Sequence, residues 1–182
     1  DVILGKAYPS GKIATTWSAF DDYCKEGDFG LHKDTHYSEG IYVGYRYFEK
    51  NAKKPLFAFG YGLGFASFKI EKSSINHNSG SGEAVCKVTN TGNNLGKEVV
   101  QLYVSKPTEN MEHPVKELIG FSKTRELKPG ESQEVKIIFA IEDMKSFDET
   151  KEFFVIERGI YEFFLGNSSD NTYKCGEIKL EE

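Results

Sequence analysis

An antiparallel β-sandwich is the fold class this sequence predicts, and three observations carry the prediction. Apolar residues alternate with polar ones at a period of two through most of residues 66–182. Turn residues punctuate that stretch at short, regular intervals, as in sandwiches built from short strands. The chain also holds 18 glycines in 182 residues, which favours turns and extended backbone over helix.

The strands follow in order. "ASFKIEKSSI" alternates through Phe68 and Ile70, and "EAVCKVTNTG" sets Ala84, Cys86 and Val88 on one face before turning at Asn90-Thr91-Gly92. "KEVVQLYVSK" places Val100, Leu102 and Val104 opposite Gln101 and Tyr103. After "ELIGFSKTREL", Lys128-Pro129-Gly130-Glu131 reads as a type II turn, because proline presets φ at its second position and glycine accepts positive φ at its third. "SQEVKIIFAI" then alternates Val135, Ile137, Phe139 and Ile141. "IEDMKSFDE" (141–149) interrupts with a single helical turn, and "KEFFVI", "GIYEFFLG" and "TYKCGEIKL" complete the set, with Tyr161, Phe163 and Leu165 on one face. Seven or so such strands describe a sandwich of immunoglobulin or fibronectin type III kind over 66–182.

Residues 1–65 read differently, with weak periodicity, clustered glycines and a long loop over 20–40. The stretch "EGIYVGYRYFEKNAKKPLFAFGYGLGF" (39–65) concentrates aromatic side chains among glycines. As extended chain it sends Ile41, Val43, Tyr45 and Tyr47 to one side and Tyr42, Arg46 and Phe48 to the other. A sugar-stacking platform needs its rings on one exposed face; two apolar faces mean chain pressed between neighbours. Tyr42, Tyr45, Arg46, Tyr47, Phe57, Phe59 and Tyr61 are therefore expected as inter-domain packing, with Arg46 paired to a carboxylate or stacked on a tyrosine.

Composition excludes several classes. Net charge is −5, from 23 basic and 28 acidic residues, and no basic face interleaves with aromatics, so nucleic acid is not an expected partner. The apolar runs are too short to span a bilayer as helices. Three cysteines, at 24, 86 and 175, form no disulfide pattern; Cys86 and Cys175 fall in strands as buried thiols, which leans toward a reducing, cytoplasmic compartment. The chain opens at Asp1 with no initiator methionine or leader pattern and reads as a processed or excised piece.

"YPSGKIATTW" (8–17), "YSEGIYVGYRYFEK" (37–50) and "PLFAFGYGLGFASF" (55–68) resemble, in order, signature segments of the glycoside hydrolase family 3 β-glucosidases. "NTGNNLGKEVVQLYV" (90–104), "KELIGFSKTRELKPGES" (116–132) and "FDETKEFFVIERGIYEFFLGNSS" (147–169) resemble that family's C-terminal fibronectin type III-like domain. Tyr8 stands where the family has Asn or Asp, Ala14 where it has proline, and Gly64 where it has serine. The resemblance implies that 1–65 is the end of an α/β-sandwich domain plus a wrapping linker, and that the partners are that domain and a catalytic barrel of the same enzyme. It further implies a retaining exo-acting enzyme acting on terminal β-D-glucosyl residues, or on β-xylosides in a related member.

Retaining hydrolysis needs two carboxyl groups about 5–5.5 Å apart across the scissile bond. The family's nucleophile and acid/base motifs do not occur in these residues, so the resemblance implies no catalytic residue here. The acids of 20–40 (Asp21, Asp22, Asp28, Asp34, Glu39) read as solvated loop carboxylates. Cys24, His32 and His36 match no standard metal spacing, and neither metal nor cofactor is expected. His77 and His113 read as loop-surface histidines. Phe29, His32, His36 and Tyr37, in loop 24–40, are the candidates for touching substrate at an outer subsite. The reading from a different class is a free-standing carbohydrate-binding or adhesion module, which would need exposed aromatics on one sandwich face, whereas Tyr103, Phe153 and Tyr173 are scattered. Homo-oligomerisation stays open.

Overall fold

Two antiparallel sheets face each other across one core in the computed structural model, which describes residues 1–23 and 37–181. Strands β1 (Phe68–His77), β2 (Ser81–Asn90) and β5 (Ser132–Ala140) form one sheet in the order β1-β2-β5. Strands β3 (Val99–Ser105), β4 (Glu117–Lys123), β8 (Gly159–Ser168) and β9 (Asn171–Leu180) form the other, in the order β4-β3-β8-β9. A short hairpin, β6 (Ser146–Asp148) with β7 (Phe153–Val155), fills the connection from β5 to β8.

The period-two pattern builds the core. Ala84, Cys86 and Val88 from β2 and Val135, Ile137 and Phe139 from β5 meet Val100, Leu102 and Val104 from β3 and Tyr161, Phe163 and Leu165 from β8. Burying such side chains contributes about 1.5–3 kcal/mol each for the larger ones, and the Phe139 and Phe163 rings lie 5.1 Å apart. The turn at Lys128–Glu131 forms as expected: Gly130 has φ of 77°, and Glu131 N donates to Lys128 O at 2.9 Å. Residues Ile141–Met144 make the expected single turn, as a 3-10 helix.

Three local expectations are corrected. Extended alternation in "GIYVGYRYF" ends at Gly44, whose φ of 60° turns the chain into a helix, α1 (Tyr45–Lys50). Helical spacing then brings Tyr45 and Phe48 to one face, where Phe48 is buried. α1 stops in a Schellman motif: Lys53 N donates to Phe48 O (2.9 Å) and Ala52 N to Glu49 O (3.1 Å), with Ala52 at φ 49°. His113 is buried rather than on the surface, because its Nε2 meets the buried carboxylate of Glu157 beneath the β3–β4 connection. Tyr103 is fully buried on the outer side of its sheet, and so is Gln101, because residues from the first third of the chain cover that face.

Candidate functional site

The covering of β3 forms a built joint. Residues 12–17 and 57–61 make a short antiparallel ribbon: Trp17 and Phe57 exchange backbone hydrogen bonds at 2.8 and 2.9 Å, Ile13 N donates to Tyr61 O, and Gly60 N donates to Ile13 O, each at 2.9 Å. The ribbon is tied to the sheet through Gln101. Its Nε2 donates to Gly60 O (3.0 Å) and Asn167 O (2.7 Å), while its Oε1 accepts from the Tyr103 hydroxyl (2.6 Å). Gly60 sits at φ 78°, and a Cβ there would collide with the Gln101 amide, so the close approach requires glycine. At the far side Lys12 Nζ lies 2.8 Å from Glu98 Oε1, and Asn167 Nδ2 donates to the other Glu98 oxygen at 3.1 Å.

Helix α1 carries the aromatic part of the joint. The Tyr45 ring stacks on Phe59 (4.8 Å between centroids) and meets Tyr103 edge-on (6.1 Å), and its hydroxyl accepts from Leu118 N at 3.1 Å. Burial pushes the hydroxyls of Tyr45 and Tyr103 above the ordinary phenol range, so both stay neutral. Arg46 pairs with Glu117 (2.7 Å), and Lys50 reaches Glu112 at 3.2 Å. Tyr42 donates to that same Glu112 at 2.7 Å, and this bond, with Lys50 behind it, lowers the Glu112 carboxyl. Glu49 moves the other way: burial raises it although Lys116 lies 2.9 Å away.

A second set of apolar side chains in the same segment points to solvent. Ile3 is 98% exposed and Phe20 81%, and Leu4, Val43, Leu56 and Leu63 are exposed as well. Among the described residues of this segment, Tyr45 and Phe59 pack on the sandwich while Ile3, Leu4, Val43, Leu56 and Leu63 are exposed. Single exposed leucines are ordinary on a protein surface.

Of the side chains expected at the joint, Tyr45, Arg46 and Phe59 meet the sandwich directly, and Tyr42 reaches the β3–β4 connection. Tyr47 packs edge-on against Phe48, and Phe57 lies 5.3 Å from Tyr61. Among the substrate candidates Tyr37 is 82% exposed; Phe29, His32 and His36, like Cys24, lie outside the described residues. Of the three scattered sandwich aromatics, Tyr103 is buried against Tyr45 of α1, and Phe153 and Tyr173 lie on separate strands. Lys12, Glu98 and Gln101 were not expected at the joint. Their only sequence signal was a large aromatic, Tyr103, on a face the alternation assigned to water.

Comparison with known proteins agrees with this architecture. Residues 98–169 match the fibronectin type III-like domain family. The chain is 41% identical over 197 aligned positions to β-glucosidase A of Butyrivibrio fibrisolvens, covering 94% of this chain and 24% of that protein. The crystal structure of β-glucosidase from Kluyveromyces marxianus in complex with glucose superposes with a TM-score of 0.90 at 35% identity, over 100% of this chain and 22% of that one. The GH3 β-glucosidase of Bifidobacterium adolescentis gives 0.89 at 32% identity, over 99% and 27%. The chain thus spans about a quarter of the length of the curated relatives it matches. By sequence and by shape the chain is similar to about a quarter of these β-glucosidases, and its residues 98–169 carry the fibronectin type III-like domain.

Proposed function

We propose that this chain is the non-catalytic buttress of a retaining, exo-acting β-glucosidase that releases terminal β-D-glucosyl residues. Residues 1–65 act as the end of an α/β-sandwich domain and a strap, and residues 66–182 act as the sandwich onto which the strap is fixed. The observation that carries the reading is the two-sided segment. Tyr45, Phe48 and Phe59 turn toward the strap–sandwich interior, while Ile3, Leu4, Leu56 and Leu63 are exposed and suit a partner surface. That partner is the catalytic barrel and α/β-sandwich of the same polypeptide, which supplies the nucleophile and the acid/base about 5–5.5 Å apart. Loop 24–40, with Phe29, His32, His36 and Tyr37, reaches an outer subsite of the assembled pocket.

The test compares the 182-residue chain with the complete polypeptide on an aryl β-glucoside. The complete polypeptide turns over, and the chain alone gives no release above the uncatalysed rate. Hydrolysis by the purified chain would place the reacting carboxylates within it and end the proposal.

A further inference from the structure

Outside the first 65 residues, the sandwich itself carries an uncovered aromatic surface. Phe147 and Phe154 face each other across the β6–β7 hairpin, with ring centroids 5.3 Å apart, and are 51% and 63% exposed. A ribbon of three paired residues is not stable by itself and is held from beneath. Asp148 accepts from Thr150 N at 2.9 Å and from the Thr150 hydroxyl at 2.6 Å. Lys106, nearly buried, donates to Ser146 Oγ at 3.0 Å.

Lys106 also links the hairpin to the strap. Its Nζ lies 2.8 Å from Glu117 Oε2, and Glu117 Oε1 lies 2.7 Å from the Arg46 guanidinium of α1. Three successive polar contacts therefore join α1 to the first residue of β6. A parallel connection runs from Tyr42 to Glu112, then through the neighbouring His113 to the buried Glu157 just before β8. The hairpin is thus linked to α1 through side chains, and Ile41 and Val43, just before α1, are exposed.

We propose that the Phe147–Phe154 pair is a second docking point for the rest of the same polypeptide, on the part of the sandwich that a side-chain relay ties to α1. This rests on the reading above, that the exposed apolar residues of 1–65 are covered by the remainder of a family 3 enzyme. Two half-exposed rings offer roughly 200 Å², against the ~1,200 Å² or more that a stable pairing of separate molecules buries. They suit the extension of a larger joint and not a dimer interface of their own. The relatives supply the occupant, since about three quarters of their length lies outside the part this chain matches.

The experiment places Phe147→Ser and Phe154→Ser, together, in the complete polypeptide and in the 182-residue chain, and follows unfolding by heat and by urea. The expected result is a fall of several degrees in the midpoint of the complete polypeptide. In the short chain only the small loss of one cross-strand ring pair is expected. Equal losses in both reduce the pair to a hairpin staple and overturn the proposal. A halved particle mass on substitution assigns the surface to a second copy and overturns it too. Leu56→Ser with Leu63→Ser serves as the reference. If those lower the midpoint of the complete polypeptide and the hairpin variant does not, only the second docking point falls. If neither variant lowers it, the reading above falls with it.

Discussion

Tyr8 and Gly64 each depart from the family motif they resemble, and the structure makes them one event. A Cβ at Gly64 would strike the Tyr8 hydroxyl, and the Tyr8 ring packs edge-on to Phe65 with centroids 6.2 Å apart. The phenol occupies the space a serine at 64 would need. Gly64→Ser alone is expected to destabilise the chain by roughly 1–3 kcal/mol, the range for overpacking a filled site. Tyr8→Asn removes the obstacle, so the double variant should lose less than the sum of the two single changes, with a coupling of about 1 kcal/mol or more. A urea double-mutant cycle measures it; strict additivity would show that the two positions are unrelated. Gly96 is bound into the same site, since a Cβ there would sit 2.8 Å from the Tyr8 ring.

Helix α1 holds its last turn with an alanine where glycine is usual. Ala52 occupies the left-handed region at φ 49°, a conformation that costs an L-residue about 1 kcal/mol or more. Ala52→Gly should therefore stabilise the chain by roughly 0.5–1 kcal/mol, read as a higher urea midpoint at unchanged slope; a lower midpoint would mean that chain entropy outweighs the strain. The same helix shows where sequence reasoning stops. Strands β2, β3, β5 and β8 were legible because each sends alternate side chains into one deep core, a signal repeated at Ala84, Cys86 and Val88 or at Tyr161, Phe163 and Leu165. α1 has six residues, too few for a helical period to outweigh the alternation running into it from Ile41 and Val43. Alternation also reports only which face meets the inter-sheet core. It is silent about Gln101 and Tyr103, whose cover comes from residues some forty to sixty positions earlier.

The sandwich and its strap should respond to chemistry as one body. Cys86 is 1% exposed between the sheets, and burial pushes its thiol up to about 11; Cys175, whose Sγ donates to Phe163 O, is raised to about 12 by the same cause. A raised folded value means the contribution to stability is complete below the unfolded thiol value near 8.5 and is lost as pH rises through about 11 to 12. Alkylation of Cys86 at pH 8, mapped by peptide mass, should thus proceed only at the rate of global opening and accelerate with urea in step with loss of the sandwich signal. Fast labelling without urea would reveal a local opening between β2 and its partners. The strap's passage over β3 also bears on inheritance. A recombination that carried off the strands alone would deliver Tyr103, Gln101 and Leu118 to water, with two partners missing, the Gly60 carbonyl and the Tyr45 hydroxyl. The unit that can be exchanged intact is therefore the strand set together with the ribbon and helix that precede it, and gene-fusion junctions should fall upstream of "YPSGK".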